Sequence, residues 1–461
     1  MNERFETRFE RPLWRWNELC EALGISVCAG PDVTGITFDS RKVQAGDLFV
    51  AIPGDPGPRF NVSQRTSRDG HEYVQSACER GAVGALVHKS VSTDRPLLRV
   101  QDTIDGLWGL ARYRRAQLSC PVVAITGSSG KTTLKEFLAR SIPAFFTEGS
   151  FNNYLGLPLS VALTPFNVGG VVYEIGTNHA GEIAPLSNVA NPDVAVVLNV
   201  LPVHIGHFAD LDELTIEKMS ISQGLVPYGT FVCSTTLATS EYAPRVPTVT
   251  FGFDSDADVQ IKSIDGDHYS YSSGGEFIEI DVPGGGRHRA ETLGAAAAVL
   301  KTLRLPLESL ARIGNQLPKG RGNVHFVEGI LIVDESYNAN PASMHGALAS
   351  LSRRSVDGRR ISVLGQMNEL GEKAVEYHSR LAEAANQADI VFCVGGLMKS
   401  LYENLAQGVE KHYFDQVDEQ LMDQLLQTAR PGDAVMVKGS HSFFWEADFV
   451  NQFISALRDQ A

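Results

Sequence analysis

The sequence predicts an α/β protein of three domains: a central P-loop domain on a parallel sheet, a C-terminal doubly wound Rossmann-like domain, and a smaller N-terminal α/β domain. Three observations carry this expectation. From about residue 117 onward, apolar runs of strand length alternate with helical stretches, the pattern of a parallel sheet covered on both faces. One of those runs leads straight into a glycine-hinged loop, so that residues 121–133 read PVVAITGSSGKTT. The length of 461 residues exceeds what one core usually holds and suggests about three domains.

The first unit, residues 1–116, holds short apolar strands, DLFVAI at 47–52 and GALV at 84–87, among helical patterns, and it has no phosphate loop. Between those strands lies PGDPGPRFNVSQRTSRDG, residues 53–70, whose prolines and glycines predict an exposed loop of the kind that often carries binding residues. The second unit, 117–323, repeats strand, loop and helix: VVAIT then KEFLARSI, VVYEIG at 171–176 then EIAPLSNVA, and DVAVVLNV at 193–200. A glycine-rich stretch, VPGGGRHRAETLGAAAAVLKTL, closes it with an alanine-dense helix, and LPKGRGN at 317–323 reads as a hinge. The third unit, 324–461, runs ILIVDES (330–336), a helix from about Pro341, RISVLG (360–365), a helix around His378, DIVFCVG (389–395), another helix and DAVMVKGS (433–440). Ligands of such open sheets sit at the carboxyl ends of the strands, where this unit is rich in Asp, Asn, Gly and Lys.

Hydrophobic residues at 43% and charged residues at 20% are ordinary globular values. The formal net charge of -14 argues against a nucleic-acid backbone or an anionic membrane as partner, and a small substrate fits better. Six cysteines without a CxxC pair indicate neither a zinc knuckle nor a disulfide framework and read as reduced thiols. The N-terminal stretch is charged and lacks an apolar segment, and no run of about 18 apolar residues occurs, so a soluble cytoplasmic protein without membrane insertion is expected.

The loop of Gly127, Ser128, Ser129 and Gly130 can converge backbone N–H groups on phosphate oxygens, with a helix pointing its positive end at them. Lys131 adds a mobile charge, Thr133 continues the helix, and the Thr132 hydroxyl can hold magnesium. The usual P-loop has a glycine where this chain has Ile125, so the match is to a shorter form, TGxxGKTT. ATP or GTP is the expected ligand, against the alternative of a glycine–serine turn that merely starts a helix. Glu174 closes the apolar run VVYE, where an ionised carboxylate needs either a metal ion or an arginine partner. His204 follows the strand DVAVVLNV at its carboxyl end, and Lys218 lies in a helical stretch where the default expectation is a solvated surface lysine. In DESYNANP, Asp334 ends a strand and Tyr337, Asn338 and Asn340 follow before a helix-starting proline, a denser polar loop than a turn requires. Arg321 stands between two glycines at the hinge, placed either as plain linker or to reach a phosphate.

Taken together, TGSSGKTT, FNNYLGLPLS, YEIGTNHAGEI, NPDVAVVLNVLPVHIGHF, KGRG and DESYNANPASM follow one another as they do in the Mur ligases, ATP-dependent enzymes of bacterial cell-wall precursor synthesis, which the chain resembles over nearly its whole length. FDSRKVQAGDLFVAI and LGQMNELGE look most like the member that joins D-alanyl-D-alanine to UDP-N-acetylmuramoyl-tripeptide, and the DNPR signature of a close relative is absent. The resemblance implies that Lys131 binds the β- and γ-phosphates of ATP, that Thr132 and Glu174 hold one Mg2+, and that His204 holds a second. Lys218 matches the lysine that becomes carbamylated in this family. Asn152 and Asn153 match a substrate-side loop, Ser40 and Arg41 lie in the segment that holds the UDP moiety, and Arg321 and Asp334, with Asn338, match the nucleotide cleft. The first unit would then be the UDP-substrate domain and the second the ATP-binding domain, in an enzyme expected to act as a monomer.

Two motifs depart from the family pattern. His288, Arg289 and Thr292 stand where an HNxxN-like sequence usually contacts adenine, and His441 stands where a late KGSR-type motif usually has arginine. Other classes fit less well. A folylpolyglutamate synthase-like enzyme would normally lack the first unit, a transport or switch ATPase would show a standard Walker loop with an aspartate on its second strand, and a GTPase would show NKxD.

Overall fold

The computed structural model describes residues 12–57, 68–146, 151–202 and 207–460. Among these residues, backbone hydrogen bonding sorts the strands into three sheets. Strands β1 (Gly35–Thr37), β2 (Asp47–Val50), β3 (Gly84–Val87) and β4 (Leu97–Arg99) form a parallel four-stranded sheet in that order. β2 and β3 are buried at every position, which is why β3 reads as an unbroken apolar run and β2 as one after Asp47. Helix Thr103–Gln117 follows, started by Asp102, whose carboxylate accepts from the N–H groups of Ile104 (2.7 Å) and Asp105 (3.0 Å).

The second sheet comprises β5 (Val122–Thr126), β6 (Ala144–Phe146), β7 (Gly170–Glu174), β8 (Val194–Val197), β9 (Thr230–Ser234), β10 (Thr248–Gly252), β11 (Val259–Asp265), β12 (His268–Ser273) and β13 (Glu276–Asp281), in the order β13-β12-β11-β10-β9-β8-β5-β7-β6. The strands expected from VVAIT, VVYEIG and DVAVVLNV are all present, and β5–β7 is parallel as predicted. The β7–β6, β9–β10 and β10–β11 pairs, whose strands β6, β9, β10 and β11 the sequence reading did not name, are parallel as well. The sheet differs from the expectation at one edge, where β11, β12 and β13 pair antiparallel. Alternating buried and partly exposed residues along β12 mark it as one-sided, and Gly274 and Gly275, both at positive φ, supply the tight turn into β13.

The third sheet contains β14 (Asn323–Val327), β15 (Ile330–Glu335), β16 (Arg360–Gly365), β17 (Ile390–Val394), β18 (Glu410–Phe414) and β19 (Ala434–Lys438), ordered β14-β15-β19-β16-β17-β18. Only the β14–β15 pair is antiparallel. Alternate residues of β19 enter opposite cores: Ala434 and Met436 meet Met344, Leu348 and Leu351 of helix Pro341–Arg353, whereas Val435 and Val437 meet Leu421, Leu425, Phe449 and Phe453. That two-sided burial is the physical meaning of doubly wound. The two edge strands, β14 and β18, escaped the sequence reading because partial exposure replaces their apolar run with mixed residues.

By contact density the chain divides into two compact units, one of Met1–Ile125, Ile142–Ala195 and Ser220–Thr230, the other of Thr126–Ser141, Val196–Met219 and Phe231–Ala461. Among the described residues no helix is long and apolar enough to cross a membrane.

Candidate nucleotide site

β5 ends at Thr126, and the next four residues turn the chain into helix Lys131–Ser141. Hydrogen bonds from the segment after β8 hold this loop in shape. Ser128 N–H donates to the Asn199 carbonyl (3.1 Å), and the Ser128 hydroxyl donates to the Leu201 carbonyl while accepting from Leu201 N–H, both at 2.9 Å. The Asn199 side chain accepts from Ser129 N–H (3.0 Å) and donates to the Ser129 carbonyl (3.1 Å), closing a two-bond ring. Lys131 folds back so that Nζ donates to the Gly127 carbonyl at 2.7 Å, which keeps the ammonium over the loop. Thr132 and Thr133 are buried at the start of the helix.

Gly130 adopts φ +81°, and a Cβ there would lie 2.7 Å from Leu198 Cδ2 and 3.3 Å from Thr292 Oγ1. Both backbone conformation and space therefore call for glycine. Gly130→Ala is expected to cost about 1–2 kcal/mol from the left-handed backbone alone. A lower thermal unfolding midpoint together with weaker ATP binding is the expected measurement, and an unchanged midpoint would show that the loop yields freely.

Helix Leu211–Met219 carries Lys218, and here the default expectation of a solvated lysine is corrected. The residue is only 2% exposed. Burial, reinforced by the positive charge of Lys131 and opposed by Glu217, pulls its ammonium down to about 7, so a substantial fraction is a neutral amine near neutral pH. His204, the other residue expected nearby, lies outside the described residues.

At the end of β7, Glu174 is 4% exposed, and Asn152 Nδ2 donates to its Oε1 at 2.8 Å. Asn152 is held by its own carbonyl, which accepts from Gly176 N–H at 2.8 Å. Asn153 instead turns the chain: its Oδ1 accepts from Leu155 N–H (3.2 Å) and Gly156 N–H (2.9 Å) at the entry to helix Gly156–Ala162. In the N-terminal sheet region, Arg41 grips Asp39 in a fork, Nε to Oδ1 at 2.9 Å and Nη2 to Oδ2 at 2.8 Å, and its side chain is 84% exposed beside the partly buried Ser40. This hydrogen-bonded pairing holds the Asp39 carboxyl below its usual range.

The third sheet gathers Asp334, Arg321 and Asn338 at the carboxyl ends of its strands. Asp334 Oδ1 accepts from both the backbone N–H (3.1 Å) and the hydroxyl (2.6 Å) of Ser336. Gly322 N–H donates to the Asp334 carbonyl at 2.7 Å, and the Arg321 guanidinium lies 4.0 Å from the centre of the Tyr337 ring. Asn338 Oδ1 accepts from Ala339 N–H (2.9 Å), and Asn340 caps the following helix by accepting from Ser343 N–H at 2.8 Å. His441 sits edge-on to Tyr337, with ring centres 5.3 Å apart.

Three residues were not singled out in the sequence: Asn199, Glu335 and Lys438. Each is a polar side chain at the end of an otherwise apolar strand segment, the same signal that drew attention to Glu174.

A short phosphate loop on a parallel sheet, followed by a second doubly wound sheet with polar strand ends, is the build of an ATP-dependent ligase. The chain belongs to the Mur ligase family, whose middle-domain profile matches residues 125–300 and whose glutamate ligase domain profile matches residues 320–441. The UDP-N-acetylmuramoyl-tripeptide–D-alanyl-D-alanine ligase of Escherichia coli (strain K12) is 30% identical over 438 residues, covering 90% of this chain and 92% of that protein. Among solved structures, MurF from Acinetobacter baumannii superposes with a TM-score of 0.81 at 27% identity, covering 95% of this chain and 98% of that one. The MurF ligase from Thermotoga maritima in complex with ADP gives 0.78 at 28% identity, covering 93% and 98%.

Proposed function

We propose that this chain is an ATP-dependent, ADP-forming amide ligase that adds D-alanyl-D-alanine to UDP-N-acetylmuramoyl-tripeptide in peptidoglycan precursor synthesis. The observation that carries the reading is the pairing of a pinned phosphate loop under Lys131 with a buried, half-neutral Lys218, on a chain that matches ligases of this specificity almost end to end. A carboxylate and an amine do not condense unaided. A terminal carboxylate oxygen of the tripeptide attacks the γ-phosphorus of ATP, the bond to the β-phosphate oxygen breaks, and ADP leaves. The dipeptide's neutral amine then attacks the acyl phosphate carbon, loses its proton, and the tetrahedral intermediate expels phosphate. Gly127 to Thr133 cradle the phosphates and Lys131 neutralises charge on the transferring group.

Magnesium fits the donors present: the Thr132 hydroxyl and the buried Glu174 carboxylate are hard oxygen ligands, and the Asn152 amide holds one oxygen of Glu174. Bound there, Mg2+ would supply Lewis-acid neutralisation of phosphate charge. We assign a second ion to His204 and to Lys218 in its carbamate form. The Lys218 ammonium gives up one proton, and the resulting neutral amine adds to carbon dioxide and releases a second, so that a cation is exchanged for an anion. Ser40 and Arg41 are assigned to the UDP moiety, Asn152 and Asn153 to the peptide side, and Arg321, Asp334 and Asn338 to the nucleotide. The corresponding domains are 1–116 for the UDP-substrate, 117–323 for ATP and 324–461 for the Rossmann-like part, in a cytoplasmic monomer.

With purified protein, ATP and magnesium, ADP release is expected only when both UDP-N-acetylmuramoyl-tripeptide and D-alanyl-D-alanine are present. Equal turnover with ATP alone would overturn the ligase reading.

A further inference from the structure

Arg289 departs from the family pattern, and the structure accounts for its guanidinium. It is 6% exposed on the first turn of helix Arg287–Thr302, and Nη1 donates to the carbonyls of Gly284 and Gly285, both at 3.0 Å. Nη2 donates to the Arg321 carbonyl (3.2 Å) and forms a close ion pair with Glu335 Oε1. The other carboxylate oxygen of Glu335 lies 3.6 Å from Lys438 Nζ, which also donates to the Asn338 carbonyl at 3.0 Å. Burial opposes ionisation of Glu335, yet the charges of Arg289 and Lys438 hold its carboxyl at about 2. One charged cluster thus ties the glycine turn at 284–285, the KGRG segment, the end of β15 and the end of β19.

The cluster crosses between the two family domains, since Arg289 lies in the matched middle domain and Glu335 and Lys438 in the matched glutamate ligase domain. Side chains do not fill this joint. A cavity of about 690 Å³ opens beside it, bounded by Gly284, Gly285, Leu317, Gly322, Asn323 and Arg354. Gly322, at φ +99°, has no side chain because the Arg289 guanidinium occupies the space a Cβ would need. The same helix meets the phosphate loop one turn later, where Thr292 Oγ1 lies 3.3 Å from the position of a Cβ on Gly130. Residues three apart share a helix face, so Arg289 and Thr292 link the two regions through one rigid element.

We propose that Arg289 is a positioning residue, a buried clamp with Glu335 and Lys438 that sets the 334–340 loop against the phosphate loop. A lysine cannot replace it, because the bidentate fork is what reaches carbonyls and carboxylate at once. The turnover readout below rests on the proposed ligase activity, whereas the exchange readout does not.

The test compares Arg289→Met and Arg289→Lys with the parent by amide hydrogen exchange and steady-state kinetics. Gly322 N–H to the Asp334 carbonyl (2.7 Å) and Tyr337 N–H to the Gly320 carbonyl (3.0 Å) report the joint. In Arg289→Met these amides are expected to exchange about tenfold faster or more while those of β16 and β17 keep their protection. Turnover should fall by roughly tenfold in kcat with KM values little changed, since a misplaced loop loses orientation more than affinity. Arg289→Lys should show the same signature to a smaller degree, and it decides the matter where the methionine variant does not fold. Joint amides that exchange as in the parent, or a rise spread evenly over the third sheet, would overturn the clamp. Faster joint exchange without ligase turnover in the parent would leave the clamp standing and remove the ligase reading instead.

Discussion

Lys131→Ala is expected to lose roughly 10³-fold in kcat, the scale on which a single charge aimed at a transferring phosphoryl group contributes. The fold should survive, because the loop keeps its Ser128, Ser129 and Asn199 bonds when the ammonium is removed. A second consequence follows from electrostatics. The charge of Lys131 helps depress the Lys218 ammonium, so its removal should move Lys218 back toward the ordinary lysine range and shrink the neutral fraction. ADP release, circular dichroism and thermal unfolding together check this. A variant that folds and turns over within tenfold of the parent would remove Lys131 from the phosphoryl-transfer account.

Lys218→Ala is the second large effect, expected to lower turnover by roughly 100-fold or more, the scale of a lost group that orders charge in the reacting site. Partial recovery by added short carboxylic acids is expected, because the vacated space can take a free carboxylate in place of the carbamate. The pH dependence carries a definite sign. With its ammonium at about 7, Lys218 loses its proton as pH rises through that value, and only the neutral amine adds carbon dioxide. At pH 6 roughly one residue in ten is neutral. Activity that depends on the carbamate should therefore fall on the acid side of pH 7 and recover partly with added bicarbonate. Labelled carbon dioxide and carbon NMR of the parent would display the carbamate directly. Full activity in the alanine variant would dismiss it.

Much of this fold was legible in the sequence because its signals are local. GALV at 84–87 and RISVLG at 360–365 are strands with those same bounds, and the helix after DESYNANP begins at Pro341, where asparagine cap and proline predict it. The turn that leads from Thr126 into helix Lys131–Ser141 was readable because its glycines and the helix start are neighbours in the chain. Strands with one wet face were harder. β14 and β18 lack an apolar run, and β12 and β13 form an antiparallel edge where repetition of strand, loop and helix had predicted a parallel sheet.

The sequence by itself determined the strand–helix alternation, the short phosphate loop and the order of motifs that mark the Mur ligase family, since each depends on neighbours a few positions apart. Tertiary structure alone decided that Lys218 is buried and partly neutral, that Asn199 pins Ser129 from 70 residues away, and that Arg289 is committed to Glu335. Burial and partnership are properties of distant segments brought together, as with Lys438 and the Asn338 carbonyl 100 positions apart, and no local pattern encodes them. The same lysine, placed by spacing alone on a solvated helix face, is driven toward its neutral form only because the folded chain withdraws water from it.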